Sequence, residues 1–421
     1  MTRLPAAYRR LQGAAIVSNV GDGAFAAAVP LLAVAVTRDP RLVSLVSAAT
    51  TLPWLLLSLP TGALVDRYDR AGLMWRAQAG QAVVAAVVAV AVAAGAASIP
   101  VLVGAAFVLG ACEVVVANAA QAILPGIVPA ADLQRANGRQ FAATSTANTF
   151  AGPPLGSLLF GVAAALPFGL DAATFAVSAA VLRKLPRGER LPAPVPLGRA
   201  VAEGLRWLAG HRLLRTLALL LAANLFCFQL ANVTVVLFAT QVLGLGAPAY
   251  GLLLTGSALG GVAGAMVNHR IAVRLGTLPT VLLALGGAVP AYLLTAASPD
   301  VYVLGLLLTV IGFFSSMWNV VTVTLRQSVV PAELLGRVNS VYRMLGMGLT
   351  PLGAVAGGFV AHGLGVRAGF AIAGVLRGGA LLLALPALLS ALHVRPTLPR
   401  GQGQASSSAV SSSASSSEAT G

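Results

Sequence analysis

Apolar runs of about 20 residues, nearly free of charge, recur along the whole chain, and about 20 helical residues cross the hydrocarbon core of a bilayer. The runs fall at 12–36, 43–65, 77–97, 100–122, 137–163 and 168–182, and then at 213–241, 248–268, 277–297, 302–325, 338–362 and 368–393. Hydrophobic residues make up 57% of the 421 and charged residues 9%, against roughly 25% charged in soluble domains. So little polar material cannot cover a water-facing surface, so the outer surface faces lipid. The fold class expected is an all-α membrane protein with twelve transmembrane helices. The 46 Gly and 24 Pro fit this reading, because spanning helices tolerate both and small residues let their backbones approach.

The formal net charge is +15. On a soluble protein that would point to nucleic acid. Here all but four of the 27 Lys and Arg lie in 3–10, 67–76, 135–139, 183–215, 270–274, 326–343 and 395–400. With twelve spans these segments share one side, and the positive-inside rule makes that side cytoplasmic, with both termini on it. The membrane expected is a bacterial-type inner membrane, and no nucleic-acid partner is expected. Arg38, Arg41 and Arg367 fall on the opposite side, and Arg377 lies within the last run. Cys112 and Cys227 both fall in apolar runs and read as packing residues. The run Leu11–Val36, which follows Arg9 and Arg10, is too long for a signal-peptide core and reads as the first span.

Residues 183–212 divide the chain into equal parts. The stretch is basic and rich in proline, and 200–208 has the pattern of a short interfacial helix. The organisation expected is a six-helix unit over 1–182, a cytoplasmic linker over 183–212, a second six-helix unit over 213–394 and a disordered Ser-rich tail over 395–421. An internal repeat supports the two units. Gly62-Ala-Leu-Val-Asp66-Arg67 reappears as Gly264-Ala-Met-Val-Asn268-His269. Val128, Pro129, Leu133, Arg135 and Asn137 reappear at the same spacing as Val330, Pro331, Leu335, Arg337 and Asn339. Repeats of this kind are typical of secondary transporters.

The stretch from Gly62 through Asp66, Arg67 and Arg70 resembles the loop signature of the major facilitator superfamily, and the resemblance extends over nearly the whole chain. The usual second glycine is replaced by Asp69, and the last basic residue by Ala71. Gly152-Pro153-Pro154-Leu155-Gly156 resembles part of the antiporter motif of drug-exporting members. Asn137-Gly-Arg139-Gln140 and the stretch Glu333 to Arg343 look like the branch with macrolide and enterobactin exporters. The resemblance implies two pseudo-symmetric six-helix lobes that rock about a central cavity. It implies a conformational latch at Gly62, Asp66, Arg67, Arg70 and Arg337, and a packing or bending role for Gly152, Pro153 and Gly156.

Two acids lie deep in spans. Asp22 is in the middle of the first run and Glu113 in the fourth, at similar depth by a rise of about 1.5 Å per residue. A carboxylate facing lipid there is costly, so each faces a cavity, pairs with a base or carries a proton. Both are candidates for proton coupling or cation contact, and satisfied packing residues are the alternative. Asn19, Asn118, Gln121, Phe141, Thr144, Asn148, Phe226 and Trp318 are candidates to line the substrate cavity, with helix–helix hydrogen bonds or core packing as the alternative. Arg377 is a buried base with either a structural or an anion-contacting role.

No Gly-Lys-Ser or Gly-Lys-Thr phosphate loop occurs, and His211, His269, His362 and His393 form no metal-ligand spacing. Enzyme chemistry and a cofactor are therefore not expected. The function expected is secondary efflux of a hydrophobic or amphipathic organic compound, a drug or natural product, by proton antiport through a protein that works as a monomer. A siderophore or anionic-metabolite exporter, an uncoupled facilitator or importer, and a non-transporting scaffold or sensor remain as alternatives.

Overall fold

In lipid every backbone N–H and C=O needs a partner within the protein, and a helix supplies them all locally. The computed structural model describes residues 4–129, 132–186 and 197–393, and every regular element among them is a helix. They are α1 (Ala6–Val36), α2 (Pro40–Arg67), α3 (Arg70–Ala93), α4 (Ile99–Ile127), α5 (Leu133–Thr146), α6 (Gly152–Val162), α7 (Leu166–Leu182), α8 (Leu197–Gly210), α9 (Arg212–Leu237), α10 (Ala247–Leu275), α11 (Thr277–Ala296), α12 (Val301–Val329), α13 (Ala332–Leu364) and α14 (Ala368–His393). A π-helical turn over Ala147–Ala151 joins α5 to α6, and another over Phe238–Val242 extends α9. The tail over 395–421 and residues 187–196 of the linker lie outside the described residues.

Each expected run is matched by helix, and most helices exceed the run at one or both ends. α2 begins at Pro40, with the Asp39 carboxylate accepting from the Arg41 N–H. It continues through Arg67, which projects polar helix beyond the hydrocarbon. Ten described helices are long and apolar enough to cross a membrane. Two expected spans fall short of that measure for separate reasons. α7 has only 17 residues, a length of roughly 26 Å. The pass from α5 to α6 starts with the polar stretch Asn137 to Gln140 and is broken by the π turn. Pro153 and Pro154 have no N–H to give to the carbonyls of Thr149 and Phe150, and the helix widens there instead.

The lipid-facing surface is apolar. On α3, Val83, Val87 and Val90 form one exposed stripe, and on α14 Leu383 is 86% exposed. A surface of that kind belongs in hydrocarbon. The buried stripes pack in an order that repeats. α2 packs on α4, α1 on α6 and α7, and α3 on α7; equivalently α10 packs on α12, α9 on α13 and α14, and α11 on α14. Two tyrosines mark the same joint in each half. The Tyr8 hydroxyl donates to the Ala136 carbonyl at 2.9 Å, and the Tyr342 hydroxyl to the Leu214 carbonyl at 2.5 Å.

The linker helix α8 is amphipathic, with Gly204, Trp207 and Leu208 on its inward face. It lies on α13, where Gly204 comes so near that a Cβ there would sit 2.6 Å from the Arg337 carbonyl oxygen. Arg337 and Glu203 form an ion pair at the same contact.

The two halves meet along α2–α13 and α6–α10. Their tightest contacts lie at one end. A Cβ on Gly358 of α13 would overlap the Ser44 side chain, and one on Gly251 of α10 would meet Ser157 of α6 at 2.6 Å. The opposite end carries the start of α1, α8 and most of the described basic residues.

Candidate functional site

Two cavities lie along the seam between the halves. The larger, of about 860 Å³, is lined by Phe141, Phe150, Pro153, Phe228, Tyr292 and Phe370, together with small and hydroxyl residues of α10 and α12. Phe141 lies in α5, toward the basic end, and is 71% exposed while lining this space. The cavity therefore opens toward that end. The smaller, of about 470 Å³, is polar and sits mainly within the N-terminal half. Asn19, Asp22, Ser47, Thr50, Gln81, Glu113 and Asp171 line it, with Gln229 and Asn232 reaching in from α9. Ala26, Asn148 and Asn232 border both cavities. A third space of about 230 Å³ leads from Asn19 and Glu113 toward the start of α1, past Gln78, Gln121, Gln140 and Thr144.

Three carboxylates share the polar cavity, and each is near enough to feel at least one of the others. Among the described residues, no Lys, Arg or His lines it. Gln81 lies within hydrogen-bonding reach of Glu113, and its amide also donates to the Leu109 carbonyl at 3.3 Å. Asp22 and Glu113 are half-buried and open to the cavity, whereas Asp171 is 1% exposed and neither of its carboxyl oxygens has a hydrogen-bond partner. A charge of −3 in a low-dielectric space without a base needs protons or a cation to offset it. Among the described residues the arrangement does not form a metal-ligand group.

Backbone packing brings the acids together. Gly21 of α1 lies against α7 so closely that a Cβ would overlap the Thr174 hydroxyl and meet an Asp171 carboxyl oxygen at 2.6 Å. Any larger residue would push α7 away and part Asp171 from Asp22. Gly110 of α4 similarly abuts the Thr50 carbonyl of α2, one turn from Glu113.

The sequence candidates divide into those that meet at the cavities and those that do not. Asp22, Glu113, Asn19 and Asn148 line the polar cavity, Phe141 and Asn148 the larger one, and Thr144 and Gln121 the third space. Asn118 is half-buried on α4 and borders none of these three. Phe226 packs against the main hydrophobic core, and a Cβ on Gly353 would overlap its carbonyl oxygen. Trp318 is buried in a cluster with Leu217, Val321 and Tyr342. Arg377 is buried behind the larger cavity. It donates to the Asn224 carbonyl at 2.9 Å and stacks 4.3 Å from the Tyr292 ring centre.

Of the expected latch, Arg70 donates to the Ala122 carbonyl at 3.0 Å within its own half, and Arg67 is exposed. Gly62 lies inside α2. The Asp66 side chain lies outside what the structure describes. Arg337 pairs with Glu203 of the linker helix. Gly152 and Gly156 lie against Gly23 and Ala24 of α1, and Pro153 lines the larger cavity.

Asp171 is absent from the sequence candidates, although it is the most buried of the three acids. Drawn from residue 168, the sixth span puts it three residues inside an end, where a charge is cheap. The helix starts at Leu166 and is short, and Asp171 faces inward against α1. The signal was an uncompensated acid in an otherwise uncharged run.

The closed end carries its own charged contact. Asp39 pairs with Arg41 at 2.8 Å, and His362 of α13 lies 3.7 Å from the same carboxylate. Hydrogen bonds from Arg41 and the nearby His362 hold the Asp39 carboxyl down at about 2, below the ordinary value of about 4. A depressed carboxyl supports the arrangement that holds it at pH above its ordinary value and loses that support as pH falls through its own. Asp39 therefore stays ionised across the physiological range. Asp39→Asn should loosen this end and raise labelling of Ser47→Cys by an impermeant maleimide a few-fold. That increase should be flat between pH 5 and 8. A change of the Asp39→Asn effect within that window would remove its assignment to the Asp39 carboxylate.

The sequence pattern of the family described as Transmembrane secretion effector matches residues 5–414. The chain is 28% identical over 399 residues to the multidrug efflux pump Tap of Mycobacterium tuberculosis, with 90% of each chain covered. Among solved structures it resembles a bacterial homologue of the human lysosomal transporter Spinster in an inward-facing, occupied conformation. That match has a TM-score of 0.71 at 14% identity and covers 90% of this chain and 96% of the other. The nucleoside transporter NupG matches with a TM-score of 0.66 at 13% identity, over 93% of this chain and 100% of the other.

Proposed function

Because the chain belongs to the transmembrane secretion effector family of the major facilitator superfamily, we propose that it exports an amphipathic organic compound in exchange for protons. It is a multi-pass membrane transporter and not an enzyme. The twelve crossings are α1 to α4, the α5–α6 pass, α7, α9 with its π turn, and α10 to α14. They form lobes over 1–182 and 213–394 that move against each other, with 183–212 as the cytoplasmic linker. The repeated packing order supports this division. The basic end is cytoplasmic by the positive-inside rule. The cavity then opens inward, and the contacts of Gly358 with Ser44 and Gly251 with Ser157 seal the outer end.

The observation that carries the reading is a base-free carboxylate site opening onto an aromatic-lined cavity between the halves. In the inward-open form, substrate enters the larger cavity and Asp22 or Glu113 gives up its proton to the cytoplasm through the space lined by Gln121, Gln140 and Thr144. The lobes rock, the outer contacts part, and substrate leaves as a proton enters from outside. That proton offsets the buried charge and lets the empty carrier return. Likeness to a multidrug efflux pump supports the outward direction.

The experiment uses proteoliposomes with a pH-sensitive dye on the side opposite the substrate. Addition of an amphipathic drug panel should move protons opposite to each transported compound. Transport with no proton movement across the whole panel would remove coupling from the reading. Accessibility of Arg70→Cys only from outside in cells would remove its orientation.

A further inference from the structure

The acid that the coupling scheme leaves unused is Asp171. We propose that Asp171 is the substrate-contacting carboxylate of a head-group pocket that takes the cationic end of the exported compound, while the larger cavity takes its apolar body. The inference rests on the export reading and names the chemical class of its substrate.

Three independent features carry it. First, both Asp171 carboxyl oxygens lack a partner although the residue is 1% exposed. Buried polar atoms in folded proteins are nearly always satisfied, and an orphan marks a missing donor or counter-charge. Glu113 differs, since Gln81 is beside it. Second, among the described residues no base lines the polar cavity. The buried Arg377, inside the C-terminal half, is engaged by the Tyr292 ring and the Asn224 carbonyl. Where no proton offsets it, the missing positive charge therefore has to come from outside the described residues. Third, the two cavities differ in chemistry and touch along Ala26, Asn148 and Asn232. The acidic compartment is followed by one walled with aromatic rings. A molecule with a cation at one end and an apolar body fits both compartments at once, and aromatic faces near a cation add to its hold.

The division of labour follows. Asp22 and Glu113, open to the cavity, exchange protons. Asp171, which lines the same cavity where α7 packs against Gly21, stays with the cation. A substrate lacking positive charge would leave Asp171 unpaired and bind less well.

The test uses full-length protein in detergent at pH 8 and two probes of one shape, 6-phenylhexyltrimethylammonium and its analogue with tert-butyl in place of the ammonium group. Binding is read by calorimetry. Asp171→Asn should lose about tenfold or more in affinity for the ammonium probe, as expected when one partner of a desolvated charge pair is removed. It should change affinity for the tert-butyl probe by less than about twofold. Asp171→Glu should restore much of the ammonium binding, which separates charge from folding. Equal losses for both probes, an unchanged ammonium affinity in Asp171→Asn, or a wild type that binds the tert-butyl probe as well as the ammonium each overturn the proposal. Because the measurement needs no gradient, it stands apart from the export test. Intact cation binding with no transport in vesicles would sink the export reading and leave the head-group pocket in place.

Discussion

Glu113→Gln should abolish the link between the proton gradient and substrate movement while leaving the protein folded. Glu113 sits where the polar cavity meets the space leading to the basic end, and it borders both. Gln keeps the shape and the contact with Gln81 but cannot carry a proton. If one proton is exchanged per substrate, each pH unit across the membrane supports about a tenfold substrate gradient, since one unit is about 1.4 kcal/mol. In vesicles holding Glu113→Gln that accumulation should fall to about onefold, leaving at most downhill movement. Thermal unfolding should not suffer, because removing an uncompensated charge from a buried site is neutral or stabilising. Asp22→Asn should weaken coupling in the same direction. A Glu113→Gln protein that still builds the full gradient would transfer the proton role to the other two acids. A lower unfolding temperature alongside lost accumulation would mark Glu113 as structural.

The difference between Glu113 and Asp171 shows what sequence can and cannot deliver here. A span is a local property, so run length and the clustering of Lys and Arg are enough to draw the helices. Gly62 and Gly264 expose the repeat because they open matching sequence patches at one spacing. Asp22 and Glu113 stand out because each lies mid-run, where depth alone makes a charge costly. Asp171 is different: its depth depends on where a short helix begins and on how closely Gly21 lets α7 approach α1. Both are tertiary facts. Phe226 and Trp318 fail to reach the cavity for a related reason. An aromatic residue on a central helix faces the seam or its own half according to helix rotation, which the packing of neighbouring helices sets. Arg377 was ambiguous in sequence for want of a visible partner, and its partners, a carbonyl on α9 and a ring on α11, are far away along the chain.

Gly152→Ala should destabilise the protein by about 1–3 kcal/mol, the usual cost of overpacking. A Cβ there would lie 2.5 Å from the Gly23 Cα and 2.9 Å from the Ala24 nitrogen. Both are backbone atoms, so no side chain can swing aside to make room, and α1 and the α5–α6 pass must separate. Two glycines facing each other across a helix pair allow the contact that small residues supply in membranes. Separation would also displace Asn148, whose carbonyl lies against Gly23 and whose side chain borders both cavities. Export should therefore fall with stability. Gly138→Ala is the matched comparison, because nothing lies within 4 Å of a Cβ there. In a helix interior that change should be neutral or stabilise by up to about 1 kcal/mol. The contrast decides what the Gly152-Pro153-Pro154 stretch is for. If it serves only to bend the helix, Pro153 and Pro154 remain in Gly152→Ala, and the unfolding temperature and transport should both match the wild type. If its task is to bring α1 against the π turn, the alanine costs both, while Pro153→Ala, which keeps the glycine, costs less.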